Sequence, residues 1–113
     1  MAFMAKQGNI IWLSFDPQAG HEQKGCRPAI VVSNNLFNDI EKTTAMVCPI
    51  TNTDRGLGMH LKLDSRTKTT GFIMCDQAKI LDLSVRDAEF IEQAPEDIVF
   101  EAVDLIIGFV EIE

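Results

Sequence analysis

Between positions 20 and 28 the chain reads GHEQKGCRP, a short loop that carries His21, Glu22, Lys24 and Arg27. An imidazole and a carboxylate move protons, and a guanidinium holds a permanent charge on a planar fork that fits phosphate oxygens. These types on one loop suit phosphodiester chemistry, which uses a base, an acid and positive charge for a developing anion. Arg27 precedes Pro28, which biases it to extended backbone at the mouth of the apolar run 29–33. On charge pattern alone, a surface ion pair worth ~0.5 kcal/mol explains the same residues.

Two further strand ends carry polar chemistry. Thr51 and Asn52 follow Val47, Cys48, Pro49 and Ile50. A threonine there caps a turn, or donates its hydroxyl to a phosphate oxygen beside Arg27. Asp76 and Gln77 follow the apolar run 72–75; such a pair satisfies loop backbone, or reads a base edge through the glutamine amide. Phe15 and Phe37 could stack on unpaired bases but read as core, as does Trp12. His60 sits on a strand away from these loops and reads as structural. Cys26, Cys48 and Cys75 are odd in number and form no CxxC pair. They read as reduced thiols, with neither a zinc site nor a disulfide framework.

The elements that position these residues are short strands followed by one helix. Positions 9–15 form a strand that stops at Asp16-Pro17, and 29–33 is a β-branched run buried on both faces. Leu36, Phe37 and Ile40 suit a short helical turn over 34–40. Strands follow at 43–50, 59–63, 70–75 and 79–83, with Gly56, Gly58 and Gly71 punctuating the loops. Pro95 suits the first position of a helix, and Glu96 and Asp97 favour the positive end of its dipole. Ile98, Ala102, Leu105, Ile106 and Phe109 form a stripe at helical spacing that packs on the sheet. Val99, Val103, Ile107 and Val110 widen it, either toward a second subunit or into a deeper core. The expected class is mainly β with a C-terminal helix, an α+β arrangement in one domain over 1–113.

Composition is that of an ordinary globule, with 46% hydrophobic and 24% charged residues in 113. No export signal is visible, and the longest apolar run, 105–110, falls far short of the ~20 residues that span a bilayer. The formal charge of −7 argues against a nucleic-acid ligand only as a total. Residues 84–113 carry nine acids against Arg86 alone, whereas 1–83 carry nine cations and eight acids. Polyanion binding needs a local positive surface, and Lys24, Arg27, Arg55, Lys62, Arg66, Lys68 and Lys79 could supply one. Scattered, solvated cations are the alternative that composition leaves open.

Positions 8–33, GNIIWLSFDPQAGHEQKGCRPAIVVS, resemble the opening of the MazF/PemK-type toxins, ribosome-independent mRNA endoribonucleases of bacterial toxin–antitoxin pairs. Their mark is a glycine-x-Glu-Gln-x-Gly-x-Arg-Pro segment, here Gly20 through Pro28. The likeness continues in PIT at 49–51, in TTGF at 69–72 with CDQ at 75–77, and in the closing helix, so it covers nearly the whole chain. It implies a small SH3-like, CcdB-like barrel with a strongly bent antiparallel sheet, a cytoplasmic homodimer, and an acidic antitoxin as partner. It further implies cleavage of single-stranded RNA without cofactor or metal, the 2′-hydroxyl attacking the adjacent phosphate to leave a 2′,3′-cyclic phosphate and a 5′-hydroxyl. Carried over residue by residue, Arg27 stabilises the phosphate and serves as acid, Thr51 donates to the phosphate, and Glu22 is the candidate base.

One departure bears on these roles. The resemblance implies that relatives with the GHEQ form use a histidine, an aspartate and an arginine just before the Cys-Asp-Gln segment. Here His21 and Asp76 are present, but Met74 stands where the arginine would. A thioether carries no charge, so phosphate stabilisation falls to Arg27, with His21 as positioning group or alternate base and Asp76 as a secondary contributor. Lys24, Asn52, Arg55, Gln77 and Lys79 are the candidate RNA contacts. A barrel of the same kind poisons DNA gyrase without cutting nucleic acid, by contacts through its C-terminal residues. That group lacks the Glu-Gln-x-Gly-x-Arg-Pro loop, and this chain ends in the charged Glu111-Ile112-Glu113. A third reading is a toxin-like protein that has lost activity and only binds its antitoxin.

Overall fold

A computed structural model of the chain describes residues 4–16, 25–54 and 58–113. Seven strands and two helices are ordered along it: β1 (Asn9–Ser14), β2 (Cys26–Val31), α1 (Asn35–Glu41), β3 (Thr44–Thr51), β4 (His60–Lys62), β5 (Phe72–Met74), β6 (Lys79–Asp82), β7 (Glu89–Gln93) and α2 (Glu96–Val110). The strands pair antiparallel in the order β4-β5-β3-β2-β1-β7, and β6 pairs with β3 beside that path. The path does not close on itself, so the expected barrel takes its open form, a mainly β sheet capped by a C-terminal helix.

β3 is the axis of the sheet. Its first half, from Thr44 to Val47, pairs with β6, and Ile50 and Thr51 pair with β5. Pro49 has no N–H to donate and falls in the gap between these pairings, where it interrupts neither ladder. The period-two alternation of strands sorts their side chains into two cores. Ile10, Ile30, Cys48, Ile50 and Ile73 meet Ile98, Val99 and Ala102 of α2, whereas Ile11, Leu13, Ala29, Val31 and Val47 build the opposite core with Phe15 and Leu83. The run 29–33 therefore contributes to both faces, as its unbroken apolar character suggested.

Several expectations are corrected. Trp12 is 41% exposed, because it lies outside the cluster packed under α2 although Ile10, two residues earlier, is inside it. Phe109 is 44% exposed, and Ile107 and Val110 are exposed with it, since the last turn of α2 runs past the core. Pro95 is the residue before the helix rather than its first: its carbonyl accepts from the N–H groups of Ile98 and Val99 at 3.1 and 3.2 Å. β7 was not expected at all. As an edge strand with Glu89, Phe90 and Gln93 exposed, it shows no alternation that sequence could reveal. β4 and β5 are shorter than the patterns around them, 59–63 and 70–75.

Candidate active site

Arg27 is the second residue of β2 and lies opposite Leu13 of β1. The β2–β3 ladder ends at Ala29 and Pro49; Arg27 and Thr51 each lie two residues beyond it, at the same end of the two strands and on the face those residues define. Thr51 in turn lies opposite Phe72 of β5, and Phe72 opposite Lys62 of β4. Partners across a sheet share a face, so Thr51, Phe72 and Lys62 form one row, each step about 5 Å, and the β2 register extended past Ala29 brings Arg27 to its end. A cation, a hydroxyl, an aromatic ring and a second cation thus stand side by side.

The Arg27 Nε is buried and has no acceptor among the described residues. Burying an N–H without a partner costs about 1–3 kcal/mol, so this guanidinium is set up to receive an acceptor. Thr51 Oγ1 accepts from the N–H of Thr53 at 3.2 Å, the turn-capping role of a threonine at a strand end. Its own hydroxyl proton is left to donate elsewhere. The two readings of Thr51 are therefore compatible.

The loop leading into β5 is held against this row. Asn52 Oδ1 accepts from the Thr70 hydroxyl at 3.1 Å. Gly71 has φ +119°, and a Cβ there would collide with the Thr51 carbonyl oxygen, so only glycine lets the two backbones approach so closely. Behind the loop, the Glu92 carboxylate on β7 accepts from Lys68 N, Thr69 N and the Thr69 hydroxyl at 3.0, 2.8 and 2.8 Å. Burial works against its charge, but these hydrogen bonds outweigh it and hold the carboxyl below its ordinary range. Arg66 forks to Asp64 and Asp97, at 2.8 and 2.9 Å, and pins the loop to the start of α2. Arg66 is therefore a structural cation rather than part of a positive surface.

Asp76 lies in a 3-10 turn, Cys75–Gln77, directly after β5. Its Oδ1 stands 3.2 Å from Nε2 of His60, whose side chain is only 2% exposed. His60 was expected to lie apart from these loops. The reason it does not is register: His60 lies opposite Met74, two residues before Asp76. On the pleat, His60 and Met74 share the face of Phe72 and Lys62, one row or about 7 Å along. Met74 is fully buried in that second row.

The other candidates fall in different places. Asn52 adjoins Thr51 and is exposed. Gln77 and Lys79 are half-buried and already interact within the protein. Lys79 lies opposite Val47, four residues or about 13 Å along β3 from Thr51, so the fold does not bring it to the first row. His21, Glu22, Lys24 and Arg55 lie outside the described residues. Cys48 and Cys75 are buried; burial, then the neighbouring acidic groups, push both thiols up, Cys75 to about 11. They are protonated at neutral pH and are poor nucleophiles. Among the described residues no group of three or more His, Cys, Asp or Glu is placed to hold a metal ion, and no helix is long and apolar enough to cross a membrane.

This geometry occurs in a chain with clear relatives. Endoribonuclease PemK of Escherichia coli is 37% identical over 100 residues, covering 85% of this chain and 74% of that protein. Endoribonuclease toxin ChpB of Escherichia coli strain K12 is 36% identical over 102 residues, covering 86% of each. The crystal structure of MazF from Deinococcus radiodurans matches with a TM-score of 0.89 at 31% identity, over 97% of this chain and 99% of that one. These relatives are named as endoribonucleases or as MazF, which disfavours the gyrase-poison reading. The family model for the PemK-like, MazF-like toxins of type II toxin–antitoxin systems matches residues 6–108, and the chain belongs to that family.

Proposed function

We propose that this chain is the toxin of a toxin–antitoxin pair and acts in the cytoplasm as a sequence-specific, metal-independent endoribonuclease on single-stranded mRNA. The observation that carries the site assignment is the buried, unpartnered Nε of Arg27 on the row of Thr51. A phosphodiester laid across that row offers anionic oxygens to the guanidinium and to the Thr51 hydroxyl. As the 2′-hydroxyl attacks, charge on the phosphorane rises, and a fixed guanidinium in a partly desolvated site stabilises it more than the ground state. Glu22 takes the 2′-hydroxyl proton, with His21 as alternate base, and Arg27 assists departure of the 5′-oxygen. Asp76, in the turn after β5, is a secondary contributor. Asn52, Gln77, Lys24, Arg55 and Lys79 contact the RNA around the scissile link.

The family supports two partners: a second copy of the chain, and a cognate acidic antitoxin that competes with RNA for the cationic face. Structures of MazE–MazF complexes from Deinococcus radiodurans have the same fold, one with a TM-score of 0.83 at 31% identity over 98% of this chain and 99% of that one. The deciding experiment is incubation of the protein with a long single-stranded RNA, followed by mapping of the new ends. Fragments with 2′,3′-cyclic phosphate and 5′-hydroxyl ends at a recurring sequence are expected. RNA that stays intact at micromolar protein would sink the reading and favour a toxin-like binder without catalysis.

A further inference from the structure

We propose that His60 is a positioning residue for RNA cleavage, acting through Asp76; the assignment rests on the ribonuclease reading above. Two observations carry it. The His60 Nε2 lies 3.2 Å from Asp76 Oδ1, with the imidazole 2% exposed and the carboxylate 29% exposed. The other ring nitrogen, Nδ1, is buried and has no hydrogen-bond partner among the described residues.

An ionised carboxylate only accepts, so in this contact the proton sits on Nε2. A proton on Nδ1 would be a buried donor with nothing among the described residues to receive it, so the geometry favours the tautomer that carries its proton on Nε2. Asp76 has acceptor capacity for several donors, and the ring uses one site. The carboxylate is 29% exposed, so the remainder is open to a donor such as an RNA hydroxyl or base amine. Met74 lies opposite His60, is fully buried and carries no charge that could fix the carboxylate. The buried ring does so instead. It is buried and reaches Asp76 across a strand pair.

The test uses the full-length protein and single-turnover cleavage of an RNA carrying its recurring cut site. His60→Leu keeps apolar volume but donates nothing; the maximal single-turnover rate should fall by about 10–100-fold, with the half-saturating protein concentration changed less than about 3-fold. His60→Gln returns an amide N–H near the Nε2 position and should recover most of that loss. Asp76→Asn should cost about as much as His60→Leu, and the double variant no more than the worse single one, the coupling expected of groups that act as a unit. A His60→Leu protein that cleaves like the parent, or losses that simply multiply, would overturn the proposal while leaving the ribonuclease reading in place. A parent protein that cuts no RNA overturns both. Should His60→Leu fail to fold, nitrogen-15 NMR of the parent decides: a ring whose Nε2 carries a proton hydrogen-bonded to Asp76 is expected, and a ring protonated at Nδ1 with a bare Nε2 overturns the assignment.

Discussion

At single residues, the site is marked by donors without acceptors. Arg27 presents a buried Nε with no partner among the described residues, and Thr51, at the same end of the neighbouring strand, retains a hydroxyl proton after capping its turn. Removing the guanidinium removes the preorganised charge that meets the phosphorane. Arg27→Ala should therefore lower cleavage by at least ~100-fold, the scale on which loss of one oxyanion donor is felt. The fold should survive, because an unsatisfied buried polar group is deleted rather than created; circular dichroism and a melting curve check this beside the cleavage assay. A folded variant that cleaves at the parental rate would remove the site assignment. The same chemistry predicts that activity persists in excess EDTA, since the nucleophile belongs to the RNA and the positive charge to Arg27. Complete loss in chelator, restored by magnesium, would place the charge stabilisation on an ion instead. Residue types made this much legible: an arginine before a proline at the start of an apolar run needs no tertiary information. His60 was not legible in that way, because its contact with Asp76 depends on the register between β4 and β5.

At the scale of elements, the site is only as well placed as the loop between β4 and β5, and that loop is held by β7 and α2. Glu92 gathers three donors from Lys68 and Thr69, and Arg66 ties Asp64 to Asp97. The carboxyls of Glu92, Asp64 and Asp97 are all held below their ordinary range in the folded protein, the aspartates chiefly by hydrogen bonds from Arg66. Groups of this kind add stability above their unfolded values, about pH 4, and lose it as pH falls through the lower folded values. Urea midpoints should thus be level from pH 7 to about 5 and drop below about pH 4. Glu92→Gln should lower the midpoint at neutral pH and flatten the acid limb. An acid limb unchanged by that substitution would mean that the Glu92 contacts carry no linkage. Sequence gave no hint of this brace, since β7 is a polar edge strand without alternation, whereas β1, β2 and β3 announced themselves as apolar runs. The glycine-rich punctuation did mark Gly71, and its φ of +119° against the Thr51 carbonyl explains why.

For the whole molecule the question is how a chain of net charge −7 holds a polyanion. The acids concentrate in residues 84–113, whereas Arg27 and Lys62 stand on the strand face of β2 and β4. The division was legible from the order of charges along the chain, but the row that unites Arg27 with Lys62 was not, because it is assembled across four strands. Few cations meet the RNA, so binding should depend on salt less steeply than in a basic nucleic-acid protein. For single strands the slope of log K against log salt is about −0.7 per neutralised phosphate. With Arg27 and Lys62 as the described cations of this face, it should be no steeper than about −1.4 on that basis. Arg27→Ala should make it shallower by about 0.7, the signature of one lost phosphate contact. Binding of an RNA with a 2′-deoxy residue at the cut site, titrated across salt concentrations, measures both slopes without cleavage. A parental slope much steeper than this would require cations away from the row, and a slope unchanged in Arg27→Ala would mean that this guanidinium never meets a phosphate.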